Sequence, residues 1–205
     1  MIVLDLPLRG ERCYLHGTDM ITGLQSSLPR LLSTPDAHLK SVSFHQQAIR
    51  AVGVALGQPR NGSGAVGRFL VATSTGTFEG FLAETNAYPS QRIPYDEVDI
   101  VLGRKIHRQG QDLTLTPNSR YTTVQTVVAA MKELCNTAHP LADGKHWMFG
   151  RLDLLSPLPS QATTLEINLT RVFTARFAVA DLRLNGTLSG SIRFISNSPG
   201  LGRGE

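Results

Sequence analysis

The residues best placed by type and spacing to do chemistry stand at Tyr14-Leu15-His16-Gly17-Thr18-Asp19. Histidine is the side chain whose charge changes near neutral pH, and Asp19 puts a carboxylate within one helical turn of it. Gly17 lets backbone approach a ligand closely. His16 and Asp19 therefore form the candidate catalytic pair, with Gly17 and Thr18 as candidate substrate contacts. The plainer reading is capping, with Thr18 or Asp19 accepting amides at a helix start and His16 exposed in a loop.

A second group stands at Pro117-Asn118-Ser119-Arg120-Tyr121-Thr122-Thr123 and contains neither His nor carboxylate. Asn118, Arg120 and Tyr121 offer donors to a polar carbonyl or a carboxylate, the arginine through paired N–H groups. Their alternative is an N-cap, a solvated Arg and a core Tyr. Glu84, near the end of a predicted strand, is a further candidate base or substrate contact, against the default of a strand-end acid facing water. His45 in Phe44-His45-Gln46 reads as exposed. His146 stands beside Trp147, the only tryptophan, where packing over a helix explains the pair better than catalysis. His107 belongs to Arg104-Lys105-Ile106-His107-Arg108, the only basic cluster, read as a phosphate- or acid-attracting patch or as a solvated strand face. The six histidines show no metal-ligand spacing, and no CxxC, HExxH or Walker-type glycine loop occurs. Neither a metal nor a cofactor is expected. Cys13 and Cys135 are too few for a disulfide framework and read as small, half-buried hydrophobes.

The elements that would position these groups come in two series. Thr18 to Leu32 carries Met20, Ile21, Leu24, Leu28, Leu31 and Leu32 at helical spacing, with Gly23 and Pro29 predicting a short or kinked helix. Asn118 to Leu134 carries Tyr121, Val124, Val127, Val128, Met131 and Leu134, with Asn118 or Ser119 as cap. Extended stretches precede both, Ile2 to Leu8 and Val98 to Leu115, the latter turning at Gln109-Gly110-Gln111. Each helix is followed by strands. There Arg68-Phe69-Leu70-Val71-Ala72 with Gly76-Thr77-Phe78-Glu79-Gly80 is echoed by Arg176-Phe177-Ala178-Val179-Ala180 with Gly186-Thr187-Leu188-Ser189-Gly190. Both read R-F-x-V-A, a turn, then G-T-apolar-x-G, and Asn185-Gly186 is the sharper hairpin signal. The expectation is a duplicated α+β unit: residues 1–90, residues 91–195 and a flexible tail over 196–205. Tyr88 to Pro94 is read as the joining segment, and a single α+β domain with similar strands is the alternative.

The chain of 205 residues has an ordinary apolar fraction of 41%, enough for a self-sufficient core. A net charge of +4 is too small to drive nucleic-acid binding. No apolar run of spanning length occurs, and an acid at Asp5 argues against a secretory signal, so a cytoplasmic setting without a membrane span is expected.

Gly150-Arg151-Leu152-Asp153-Leu154-Leu155-Ser156-Pro157-Leu158-Pro159, then Leu165 to Leu169, then Phe177 to Ile195, resembles the ending of the hotdog fold of acyl-thioester dehydratases and thioesterases. There a strand breaks into a proline-containing loop and three meandering strands follow. The resemblance covers residues 98–195, and residues 2–87 through the repeat. It implies a tandem, or double, hotdog, each unit a long helix wrapped by a curved antiparallel sheet. It further implies an acyl-thioester ligand on coenzyme A or an acyl-carrier protein, with the carbonyl near a helix N-terminus. His16 would then be base or acid, Asp19 its partner, and helix amides the oxyanion donors. The dehydratases' His followed by Phe-Pro-Gly is absent. The function expected is dehydration or hydrolysis of an acyl thioester, with enzyme activity slightly favoured. The alternatives are a non-catalytic acyl-binding or carrier-docking module and a structural subunit of a biosynthetic assembly. A homodimer is compatible with all three.

Overall fold

The computed structural model describes residues 1–59, 64–101, 107–173 and 176–197, with backbone alone at 107–109 and 197. The chain divides into two compact units, Met1–Asp96 with Asp153–Pro157, and Glu97–Leu152 with Leu158–Glu205.

In the first unit β1 (Ile2–Val3) and β2 (Leu8–Arg9) lead into α1 (Gly17–Leu32), followed by β3 (His38–Phe44), β4 (Val52–Leu56), β5 (Ala65–Thr73), β6 (Gly76–Glu84) and β7 (Arg92–Ile93). The helix is neither short nor broken at Gly23. Pro29 falls in its last turn, and a Cβ at Gly23 would stand 3.1 Å from Leu6 and 3.3 Å from Leu4, so the glycine lets the N-terminal segment pack closely. Met20, Ile21, Leu24 and Leu28 are buried, as are Leu39, Val42, Val52, Val54, Val66, Phe69, Val71 and Leu82 on the strands. Leu31 and Leu32, at the helix end, are half-buried. The sheet runs β1-β4-β6-β5-β3 with antiparallel neighbours. A separate parallel pair joins β2 to β7, Leu8 opposite Arg92 and Arg9 opposite Ile93.

The second unit opens with α2 (Glu97–Val101), where an extended stretch was expected. Ile100 and Val101 bury one side of this turn, and Glu97 accepts from Lys132 Nζ at 2.7 Å. There follow β8 (His107–Gln109), β9 (Asp112–Leu115), α3 (Thr123–Ala138), β10 (His146–Leu154), β11 (Leu165–Phe173), β12 (Phe177–Leu184) and β13 (Thr187–Asn197). Their order is β8-β9-β11-β12-β13-β10. Val124, Val127, Val128, Met131 and Leu134 are buried, as the apolar stripe predicts. Trp147 is buried and donates its indole N–H to the His139 carbonyl at the helix end. Asn185 and Gly186 take φ of 53° and 78°, the two positive angles of a tight hairpin turn. Asn197 closes β13, so the first two residues of the expected tail are strand, and 198–205 lie outside the described residues.

The repeated text does not mark equivalent strands. β5, with the first R-F-x-V-A, lies between β6 and β3, whereas β12, with the second, lies between β11 and β13. Phe69 is buried opposite Gly80, where a Cβ would come within 2.2 Å of its ring. Phe177 instead stacks on Phe173 on the solvent-facing side, their rings 5.5 Å apart and 7° from parallel. What the units share is the order of strand, helix and four strands, not the register of those letters.

Candidate functional site

α1 begins at Gly17, one residue before Thr18, where its start was expected. His16 is its N-cap, in extended conformation and without a side-chain capping bond. Thr18 and Asp19 fall inside the first turn, and neither caps. The Thr18 hydroxyl lies 2.7 Å from His16 Nδ1, and both Asp19 oxygens accept from Arg9, at 2.5 Å from Nε and 2.6 Å from Nη2. His16, Thr18 and Asp19 are all buried and Gly17 is half-buried, so the exposed-loop reading of His16 fails. Asp19 raises the Arg9 pKa above its ordinary value, chiefly by hydrogen bonding, against the opposing effect of burial.

The wall of this site comes from the segment read as a linker. Leu8 N donates to Gln91 O and Gly10 N to Ile93 O, each at 2.9 Å. This short parallel pairing carries Tyr95 to a ring distance of 5.1 Å from His16. The guanidinium carbons of Arg9 and Arg12 each stand 5.0 Å from the Tyr95 ring centroid, a cation–π arrangement. Arg92 donates to the carbonyls of Gly10 and Arg12. Arg9, Arg12, Arg92 and Tyr95 were missed because their partners lie across β2 and β7. The one sequence signal, a Tyr after Pro94 and three residues beyond Arg92, names no partner.

Glu84 is neither a water-facing acid nor placed at the helix start. Its Oε1 accepts from Ile49 N at 2.6 Å and Arg50 N at 3.1 Å. The adjacent Ala48 carbonyl accepts from Leu15 N at 2.7 Å, so Glu84 fixes the loop against which His16 is hung.

The start of α3 is built differently. Its cap is Thr122, not Asn118 or Ser119: the Thr122 hydroxyl accepts from Gln125 N while Gln125 Oε1 accepts from Thr122 N, a closed capping box. Asn118 Oδ1 accepts from Arg120 N at 3.0 Å, an Asx turn. Tyr121 donates its hydroxyl to Asp99, and the exposed Arg120 stands 4.0 Å from the same carboxylate. Arg120 and Tyr121 therefore come together at Asp99 of α2, while Asn118 holds the Arg120 amide.

His45 and His146 are exposed. Residues 104–106 of the basic cluster lie outside the described residues. Among the described residues no group of three or more His, Cys, Asp or Glu gathers, and no described helix is long and apolar enough to cross a membrane. Cys13 is exposed and Cys135 fully buried, both free, so neither is the half-buried thiol expected.

The sequence matches no protein-family model and no curated protein. Solved structures do match. The dehydratase domain of PpsC from Mycobacterium tuberculosis, in complex with C12:1-CoA, is 12% identical with a TM-score of 0.52, over 95% of this chain and 87% of that one. A bifunctional dehydratase-cyclase domain of ambruticin biosynthesis is 13% identical with a TM-score of 0.48, over 90% and 83%. The tesB protein of Mycobacterium avium subspecies paratuberculosis is 10% identical with a TM-score of 0.48, over 93% and 89%. The first of these similarities shows the fold alone, the hotdog fold.

Proposed function

We propose that this hotdog-fold chain is a tandem of two hotdog modules acting on an acyl thioester of coenzyme A or an acyl-carrier protein, with His16 as its proton-transfer group. The observation that carries the reading is the contrast between two helix starts. At α3 the capping box occupies the first-turn amide of Gln125. At α1 no side chain caps, and the residue in the capping position is a buried imidazole. First-turn amides without i−4 partners are ready donors to a thioester carbonyl. Asp19 N already donates to the His16 carbonyl at 3.1 Å, so the Gly17 and Thr18 amides are the donors this reading uses, and the buried imidazole is what sets α1 apart from α3.

For a 3-hydroxyacyl thioester, the carbonyl oxygen lies against the first-turn amides of α1 and His16 takes the proton from the carbon beside the carbonyl. The C–H electron pair forms the new double bond as the C–O bond breaks, and the departing hydroxyl leaves as water with the proton from His16. For hydrolysis the same imidazole takes a proton from the attacking water and returns it to the leaving thiolate. The PpsC domain, solved with C12:1-CoA, makes dehydration of long-chain acyl groups the chemistry to test first. Asp19, held by Arg9, serves as a strut for the site, and Asn118, Arg120 and Tyr121 serve as an anchor for α2. The reading belongs to fatty-acid or polyketide-type biosynthesis in a reducing compartment, where both thiols stay free.

The test is turnover of 3-hydroxyacyl-CoA and saturated acyl-CoA, followed by mass spectrometry. Loss of one water, or release of free acid, is the expected outcome. His16→Ala lowers the rate at least ~100-fold, the scale of general acid–base catalysis, while costing about 1–3 kcal/mol of stability for the buried Thr18 hydroxyl left without its partner. Unchanged turnover in that variant rejects the assignment. Engagement of both Asp19 oxygens by Arg9 favours a second reading, acyl binding without chemistry, since it commits that carboxylate to an ion pair. A retained acyl ligand in native mass spectrometry with no product would select it.

A further inference from the structure

The solvent-facing side of the β9-β11-β12-β13 sheet is ordered in a way the acyl-thioester reading does not use. Leu165, Ile167, Leu169, Ala178, Ala180, Leu182, Ile192 and Phe194 are buried on one face. The alternate residues stand on the other in cross-strand rows. The first row is Phe173–Phe177–Ile195, with Phe173 55% and Ile195 36% exposed. The second is Arg171–Val179–Arg193, with Arg193 5.9 Å from the Phe177 ring. The third is Asp112–Asn168–Asp181, and the fourth Thr114–Glu166–Arg183. Residues of the last two rows line a groove of about 370 Å³.

One half of this face is therefore aromatic and cationic, with exposed Arg176 at its margin. The other half is concave and carries three carboxylates against one arginine. Arginine and exposed aromatic side chains in a contiguous patch are the residues that dominate protein interfaces, and the arginines specify an acidic occupant. A matching acidic surface lies on the same face, one row away. We infer that this face is a two-fold interface between two copies of the chain. A two-fold axis perpendicular to the strands, passing between the arginine and aspartate rows, brings Arg171 and Arg193 of each copy over Asn168 and Ser191 of the other, one strand spacing of ~4.8 Å from Asp112 and Asp181 and within reach of a guanidinium. The same operation lays the Phe173–Phe177–Ile195 row into the groove. The contact is isologous and closes at two copies.

The test is sedimentation velocity of the full chain over a concentration series. Wild type sediments as a dimer that dissociates as salt is raised, because paired surface charges are screened. Arg193→Glu weakens the dimer at least tenfold by placing like charges together, and Asp181→Arg alone does the same. The double variant Arg193→Glu/Asp181→Arg restores dimerisation to within threefold, since each copy again offers opposite signs across the axis. Phe173→Ser, at an exposed site, weakens it without touching charge, and circular dichroism shows each variant folded. A monomer at 100-fold above the working concentration range, including one in which the face binds some other acidic protein, overturns the inference. So does a double variant that associates no better than Arg193→Glu.

Discussion

Removing the Arg9 guanidinium tests how the His16 site is held. Arg9→Met keeps the apolar stem and leaves a carboxylate, 9% exposed, without its two donors. Breaking a buried ion pair from one side costs ~3–5 kcal/mol. Two features reduce that figure here. The Arg9 side chain is 17% exposed, so water enters the gap. Asp19 also sits in the first turn of α1, where the helix dipole favours a negative charge by ~0.3–1 kcal/mol. The expected loss is about 2–4 kcal/mol. At ~2–4 °C per kcal/mol for a chain of this size, the middle of that range lowers Tm by about 6–12 °C. Replacing both residues by apolar ones, Arg9→Met/Asp19→Leu, removes the unpaired charge and costs less than Arg9→Met alone. Urea unfolding of wild type, the two single variants and the double closes the cycle. A loss under about 1 kcal/mol for Arg9→Met, or a double variant equal to the sum of the singles, refutes the view that the pair is a buried strut.

Other expectations follow from groups remote from that pair. Burial pushes the Cys135 thiol up to about 12, so its thiolate forms only near that pH. Native protein should therefore react with one equivalent of a thiol reagent at pH 8, through exposed Cys13, and with two in denaturant; two fast equivalents in the native state would contradict the burial. Asp36, fully exposed, is held at about 2 by hydrogen bonds from Ser74 and then Thr34. Its contribution is present above the unfolded value of ~3.9 and is lost as pH falls through about 2. Carboxyl NMR should give a midpoint near 2, and one near ~3.9 would show the Ser74 turn unanchored. Gly80→Ala forces a methyl against the Phe69 ring and within 2.6 Å of the Ala55 carbonyl, an overpacking worth ~1–3 kcal/mol. A Gly80→Ala melt equal to wild type would disprove that fit.

The two long helices, α1 and α3, were legible because their signal is local. An apolar stripe at helical spacing buries one face wherever the partner comes from, and Met20, Ile21, Leu24, Leu28 and the Val124–Leu134 series did so. Asn185-Gly186 was legible for the same reason, since few residues take two consecutive positive φ angles. The helix starts were less so. Thr122 wins the cap over Asn118 because Gln125, three residues on, completes a reciprocal pair of hydrogen bonds. Similarly, R-F-x-V-A records strand-forming composition, which says nothing of which neighbour a strand takes.

The sequence by itself determined the α+β class, the two helices, the hairpins and the placement of an imidazole at a helix start. These depend on periodicity, turn chemistry and residue type over a few neighbours. Only the tertiary structure decided what surrounds that imidazole. Asp19 turns away to Arg9 ten residues earlier, and Tyr95 arrives through two residues of parallel pairing between β2 and β7. The physical reason is that ion pairs and ring contacts act over a few ångströms in space, and the distance along the chain between their members carries no trace of them.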